Sequence, residues 1–287
     1  MPMIGPDIRI VVVTNGNYFS KIILEDLLLS YTKNVVGVVL VQGDYKGRTG
    51  LKALWGVGRQ TALPYTLYKV IQFVLFSFAQ KLTPRSWLKV DAMVRDLGLE
   101  SMHAVRVNAP DVVKWVQQRE PDLLISVSCP QRIRAKLLRV PRIAAINIHS
   151  SLLPRYAGLA PYYWVLVEGE TETGVSVHYM SERFDEGNII VQKSLHIPPR
   201  VSAFILFKHL ALLGKEALME AIPLVLSGYP GIPQDLSRRS YYSHPTWASY
   251  RNLKRRGYVI ARWRELIAAI REAGGEAPRE LTQGGER

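Results

Sequence analysis

Short apolar runs and amphipathic stretches alternate along most of this chain. "IRIVVVTN" (8–15) is a β-branched run closing on turn residues, the pattern of a buried strand. "YFSKIILEDLLLSYT" (18–32) carries apolar residues at helical spacing, and "NVVGVVLVQ" (34–42) is a second buried strand. Strand, helix and strand within about 35 residues form the unit that builds a parallel sheet. Further on, "WLKVDAMVRDLG" (87–98) predicts a helix and "HAVRV" (103–107) a short strand. "NAPDVVKWVQQREP" (108–121) predicts a helix opening on Asn-Ala-Pro-Asp. "DLLISVS" (122–128), "AAINI" (144–148), "TGVSVHYM" (173–180) and "NIIVQKSLHI" (188–197) predict strands, and residues 202–228 a long helix ended by Gly228. The expectation is an α/β fold with a mostly parallel central sheet and helices on both faces.

Two segments break the alternation. Residues 44–86 are too long for a simple connection and too apolar for a loose loop, so one or two inserted helices are expected. Their stripe of Leu67, Val70, Ile71, Val74, Leu75 and Phe78 reads first as core or a homodimer contact. A lid or an interfacial membrane helix is the alternative. After Gly228 the chain is basic and aromatic, and it reads as a short extended piece and one helix, with a disordered end. This divides the chain into a main domain, 1–229, and an extension, 230–287.

Composition adds limits. The chain has 287 residues, 48% of them hydrophobic, enough for a sizeable core. Its net charge of +13 suits a polyanion, an anionic small molecule or an acidic membrane surface, and equally a merely solvated basic surface. One cysteine, Cys129, excludes an intrachain disulfide and a cysteine-based metal site. No signal-peptide pattern opens the sequence and no apolar stretch is long enough to span a bilayer, so a cytoplasmic protein is expected.

Most familiar chemistries find no support. "TNGNYFSK" after the first strand has one glycine where a dinucleotide loop needs three, although an anion could still sit at that helix start. The histidines show no metal-ligand spacing, the acidic residues follow no calcium-loop order, and there is no Gly-x-Ser-x-Gly elbow, so no metal is expected. What remains is Asn147-x-His149 at the end of "AAINI", where ligands of open α/β sheets bind. Period-two alternation puts both side chains on one face. There the amide can donate to an oxygen gaining charge and the imidazole can exchange a proton. Asp185, downstream in "FDEG", could orient that imidazole. Spacing alone also fits the plainer reading, a strand end that satisfies buried backbone groups.

"NIHSSLLPRYAGLAPYYW" followed by "TGVSVHYMSERFDEGNII" resembles the formyltransferase family that uses 10-formyltetrahydrofolate. That family includes methionyl-tRNA, glycinamide ribonucleotide and amino-sugar N-formyltransferases. Its pattern is Asn-x-His-Pro-Ser-Leu-Leu-Pro, then a Gly, then Asp-x-Gly. Asn147, His149, Leu152, Leu153, Pro154, Gly158, Asp185 and Gly187 match in order, while Ser150 replaces the usual Pro. The resemblance spans roughly 8–43 and 87–228 and implies a Rossmann-like fold. It implies Asn147, His149 and Asp185 as the catalytic set. The folate would lie between Ser128, Cys129, Pro130, Gln131 and Ile133 on one loop and Glu182, Arg183 and Phe184 on another. Ser151, Tyr156, Gly158 and Pro161 would form a substrate loop.

The formyl acceptor is less legible. A helical tail argues against methionyl-tRNA, and the missing Gly-Ser-Asn turn argues against glycinamide ribonucleotide. A small-molecule amine, such as an amino sugar on a nucleotide carrier or a specialised metabolite, is therefore expected first and tRNA second. A formyl hydrolase shares the triad, and a folate-binding or interaction module is the reading without catalysis.

Overall fold

The computed structural model describes residues 5, 7–43, 48–49, 61–83 and 87–275. Its centre is a seven-stranded sheet in the order β3-β2-β1-β4-β5-β7-β8. The strands are β1 (Ile10–Thr14), β2 (Val35–Val41), β3 (Ser101–Ala104), β4 (Leu123–Val127), β5 (Ala144–His149), β7 (Glu172–Tyr179) and β8 (Ile189–His196). The first five are parallel, and β7 and β8 are antiparallel additions at one edge. β6 (Ala157–Gly158) belongs to a separate two-stranded ribbon with β9 (Tyr241–Tyr242).

Alternation along the parallel strands feeds two cores. Ile10, Val12, Val38, Ile125, Ile146 and Ile148 meet α1 (Tyr18–Ser30) and α7 (Ala203–Leu226), whose Phe19 and Phe207 rings pack 4.0 Å apart. Val11, Val13, Val39, Leu124 and Ala145 meet Val112 and Val116 of α4 (Pro110–Gln117) and Leu137 of α5 (Ala135–Leu138). Both faces of the sheet are thus covered, which is why its strands read as continuous apolar runs.

The start of α1 is capped from within. Asn17 Oδ1 accepts from Ser20 N–H at 2.9 Å, and the Asn17 carbonyl takes Lys21 N–H at 3.0 Å. A side chain therefore holds part of the donor set that an anion would need.

In the insertion, 44–47, 50–60 and 84–86 lie outside the described residues. One helix is seen, α2 (Leu63–Leu82). It corrects the expected stripe. The buried face is Tyr65, Tyr68, Gln72, Phe76 and Ala79, whereas Leu67, Ile71, Val74 and Phe78 face outward. Aromatic rings decide the orientation, because Tyr65 meets Tyr163 edge-on at 5.5 Å and Phe76 meets Tyr18 at 5.1 Å. α3 (Val90–Asp96) then leads into β3.

The tail is also corrected. It holds two helices, α8 (Trp247–Arg255) and α9 (Trp263–Gly275), after a 3₁₀ turn and β9. A reciprocal cap between Thr246 and Ser249 starts α8, and Gly257 at φ +79° follows it. The expected disordered end, 276–287, lies outside the described residues.

Candidate active site

β5 ends by exposing one polar edge. Ala145, Asn147 and His149 share the face away from α7. β7 supplies the opposite wall, since Asn147 pairs across the ladder with His178 and His149 with Ser176. Asn147 Nδ2 lies 3.2 Å from His178 Nε2, and His178 Nδ1 lies 2.8 Å from the Tyr179 carbonyl. These partners assign the tautomer: Nδ1 donates to the carbonyl and Nε2 accepts from the amide. Burial lowers the His178 pKa, outweighing the opposite pull of the Asp185 carboxylate, so the ring is a neutral acceptor.

His149 is held from the next loop. Its Nε2–H donates to the Tyr156 carbonyl at 2.9 Å, and its Nδ1 faces Asp185 Oδ1 at 3.7 Å. The second contact is a charge contact longer than a hydrogen bond, so Nδ1 is the nitrogen available for proton exchange. The same Asp185 oxygen is 3.7 Å from His178 Nε2, while Oδ2 accepts the Gly158 N–H at 2.9 Å. Burial raises the Asp185 pKa, but the two imidazoles and the Gly158 N–H lower it further, leaving the carboxyl below the ordinary range.

Asp185 stands in a left-handed conformation, φ +56°, fixed by the extension. Gln234 Nε2 donates to the Asp185 carbonyl at 2.9 Å and to the Gly187 carbonyl at 2.7 Å. Arg239 donates to the Phe184 carbonyl at 3.2 Å and pairs with Glu186 at 3.5 Å. β9 holds the opposite loop: Ala157 and Leu159 donate to Ser240 and Tyr242, and Tyr156 N–H reaches Ser240 Oγ at 2.8 Å.

The structure therefore brings Asn147, His149 and Asp185 together. Tyr156 and Gly158 serve that cluster, one through its carbonyl and the other through its N–H. Ser151 is fully buried, and its hydroxyl donates to the Arg155 and Tyr156 carbonyls. Pro161 is buried as the first residue of α6 (Pro161–Glu168). On the other predicted loop, Ser128 adopts φ +53° and Pro130 is half-buried. The Gln131 side chain binds backbone at Val105 and Val107, and Ile133 lies in the core with Val112. Burial pushes the Cys129 thiol up to about 12, which removes thiolate chemistry at neutral pH. Glu182, Arg183 and Phe184 are exposed.

Sequence reasoning missed His178, Gln234 and Arg239 as members of this cluster. The polar pair Ser176 and His178, two apart in an apolar strand, was a usable signal for the first. Nothing local marks the other two.

A protein-family model described as formyl transferase matches residues 8–222. The chain belongs to the formyl transferase family. It is 39% identical over 143 residues to the methionyl-tRNA formyltransferase of Geobacter metallireducens, covering 50% of this chain and 45% of that protein. The corresponding enzyme of Syntrophus aciditrophicus is 35% identical over 165 residues, 57% and 50% of the two chains. The chain thus spans about half the length of these curated relatives. Among solved structures, a sugar N-formyltransferase from a Shewanella species superposes with a TM-score of 0.56 at 14% identity, covering 87% of each chain. Glycinamide ribonucleotide transformylase 1 from Symbiobacterium toebii gives 0.55 at 20% identity over 79% and 92%. At these identities the structural likeness is one of fold. It supports the Rossmann-like sheet that the apolar pattern and the motif resemblance predict.

Proposed function

We propose that the protein transfers a formyl group from 10-formyltetrahydrofolate to the primary amine of a small molecule. The observation that carries this reading is the convergence of Asn147, His149 and Asp185 at the end of β5. The donor set suits the reaction, because an amide N–H and an imidazole beside a carboxylate can serve a carbonyl oxygen and an amine proton. The folate supplies the formyl carbon. Its cradle is proposed between Ser128–Gln131 and Glu182–Phe184. In the latter loop the Phe184 carbonyl is tied to Arg239 and the Arg183 side chain pairs with Glu186 at 3.6 Å.

As the amine nitrogen bonds to the formyl carbon, negative charge grows on the formyl oxygen. Asn147, whose Nδ2 has a second hydrogen besides the one given to His178, donates to that oxygen. His149 takes the amine proton at Nδ1 and returns it to the departing nitrogen. Asp185 stabilises the charged ring. Collapse breaks the bond between the formyl carbon and the folate nitrogen, leaving a formamide and tetrahydrofolate.

A small amine is favoured because the described residues after Gly228 fold back onto the catalytic loops through β9, Gln234 and Arg239. A methionyl-tRNA acceptor is the second reading, favoured by the relatives at 35–39% identity. Incubation with 10-formyltetrahydrofolate and a panel of aminodeoxy nucleotide sugars, glycinamide ribonucleotide and methionyl-tRNA decides, with products read by mass. Formylated sugar is the expected product. Formylated tRNA alone would transfer the assignment to the second reading, and free formate alone would indicate a hydrolase.

A further inference from the structure

Leu63, Leu67, Ile71, Val74, Phe78 and Leu82 recur at spacings of three and four along α2, which draws one stripe down the helix. Five of them are between 54% and 66% exposed, and Ile71 is exposed to a lesser degree. The tyrosine-rich face of the helix is already buried against the fold, so this stripe is a second apolar face. A contiguous apolar surface on a globular domain marks a docking site.

Charge indicates what covers it. No acidic residue occurs between Asp44 and Asp91, while the exposed Lys81 lies on the stripe side of α2; Lys69 is on the other face, over the Tyr65, Tyr68 and Tyr162 rings. Lys89 follows the helix, donating to Ser77 Oγ at 2.7 Å and lying 5.0 Å from the Phe73 ring centre. α8 and α9 pack beside α2 and add exposed Arg251, Arg255, Arg264 and Arg271. They also carry Trp247 and Trp263, 54% and 59% exposed. Ala62 N–H donates to the Pro245 carbonyl at 2.8 Å, which sets the first turn of α2 next to the first turn of α8, where Trp247 stands. An apolar stripe, indole rings and a basic flank together suit the boundary between headgroups and acyl chains.

We propose that α2, flanked by α8 and α9, docks the protein onto an anionic phospholipid surface. The stripe enters the headgroup–acyl boundary, and Lys81 and the flanking arginines rest on lipid phosphates. The contact is lateral, because among the described residues no helix is long and apolar enough to cross a bilayer. A second copy of this chain fits less well. Face-to-face pairing along the stripe would bring Lys81 toward a helix with no carboxylate to answer it.

The test is flotation of the full chain with phosphatidylcholine vesicles, with and without about 30% phosphatidylglycerol. Binding is expected to the anionic vesicles only, and to weaken several-fold in about 0.5 M salt. Leu67→Asp and Phe78→Asp, each at an exposed site, should separately cut bound protein at least about tenfold while circular dichroism and solution activity stay unchanged. Lys81→Gln with Arg264→Gln, both at exposed sites, should reduce binding by about an order of magnitude without affecting the fold. No binding to either vesicle overturns the proposal. So does binding that the two aspartate variants leave intact, or a concentration-dependent dimer in light scattering that they dissociate.

Discussion

His149 is useful because its two nitrogens have different partners. Nε2 is anchored by a carbonyl and Nδ1 is left facing a carboxylate. Replacing His149 or Asp185 by Ala should lower kcat by at least about a hundredfold, with the fold intact by circular dichroism. Asn147→Ala should cost about 10²–10³ in kcat, as expected for a donor to a developing oxyanion. Near-full activity of any variant on the accepted amine would remove that residue from the mechanism. In the proposed mechanism His178, whose Nε2 lies 3.2 Å from Asn147 Nδ2, has a positioning role. Its depressed pKa means that the unfolded chain takes a proton the folded state resists. Its contribution to stability is therefore complete above about pH 6.5 and is lost as pH falls toward the folded value. Protonation would also set two N–H donors against each other at Asn147. His178→Gln is expected to lower kcat more than it alters KM and to flatten the fall in Tm as pH drops below about 6.5. An unchanged pH profile would refute that positioning role.

At the scale of elements, the loops that carry Tyr156–Gly158 and Asp185 are short pieces clamped by the extension. Gly158 sits at φ +97°, and an added Cβ there would collide with the Tyr242 carbonyl. Gly158→Ala should therefore push β9 away, pull the N–H from Asp185 and destabilise by about 1–3 kcal/mol. Urea denaturation measures the stability loss and steady-state kinetics the accompanying fall in kcat. Gln234→Ala removes two hydrogen bonds to the Asp185 loop and should cost about 1–2 kcal/mol, with activity falling alongside stability. Full activity with reduced stability would show that the loop keeps its shape without the clamp. The long apolar strands were legible because burial on both faces writes itself into every residue. The ribbon of β6 and β9 was not, since two residues leave no periodicity and their partners lie about 84 positions away.

For the whole molecule, Asp122 joins the sheet to its flanks. It accepts from Arg9 N–H and from Arg142 Nε, both at 2.8 Å. Burial alone would raise its pKa, but the Arg142 hydrogen bond and the Arg9 N–H outweigh it and hold the carboxyl below the ordinary range. Asp185 is lowered too, so both carboxylates stabilise the fold above about pH 4 and lose that contribution as pH falls toward their folded values. Asp122→Asn should lower Tm at neutral pH and make its fall below about pH 4 shallower. A parallel offset at every pH would instead assign the residue a purely packing role. The docking stripe belongs to this scale as well. Tyr65 Oη lies 2.8 Å from Tyr162 Oη, so α2 is tied to α6 directly after the Gly158 loop.

By itself the sequence determined the parallel α/β sheet, the long helix α7 and the proximity of Asn147 to His149. Each depends on spacing within one segment, where period and chain direction settle which side chains share a face. The motif resemblance placed Asp185 with them. Only the tertiary structure decided which face of α2 is buried, since both faces are apolar and the choice falls to tyrosine and phenylalanine partners distant in sequence. It alone brought His178 against Asn147 and set Gln234 and Arg239 around Asp185. Those contacts depend on strand pairing and chain return, and these close over separations that no local pattern records.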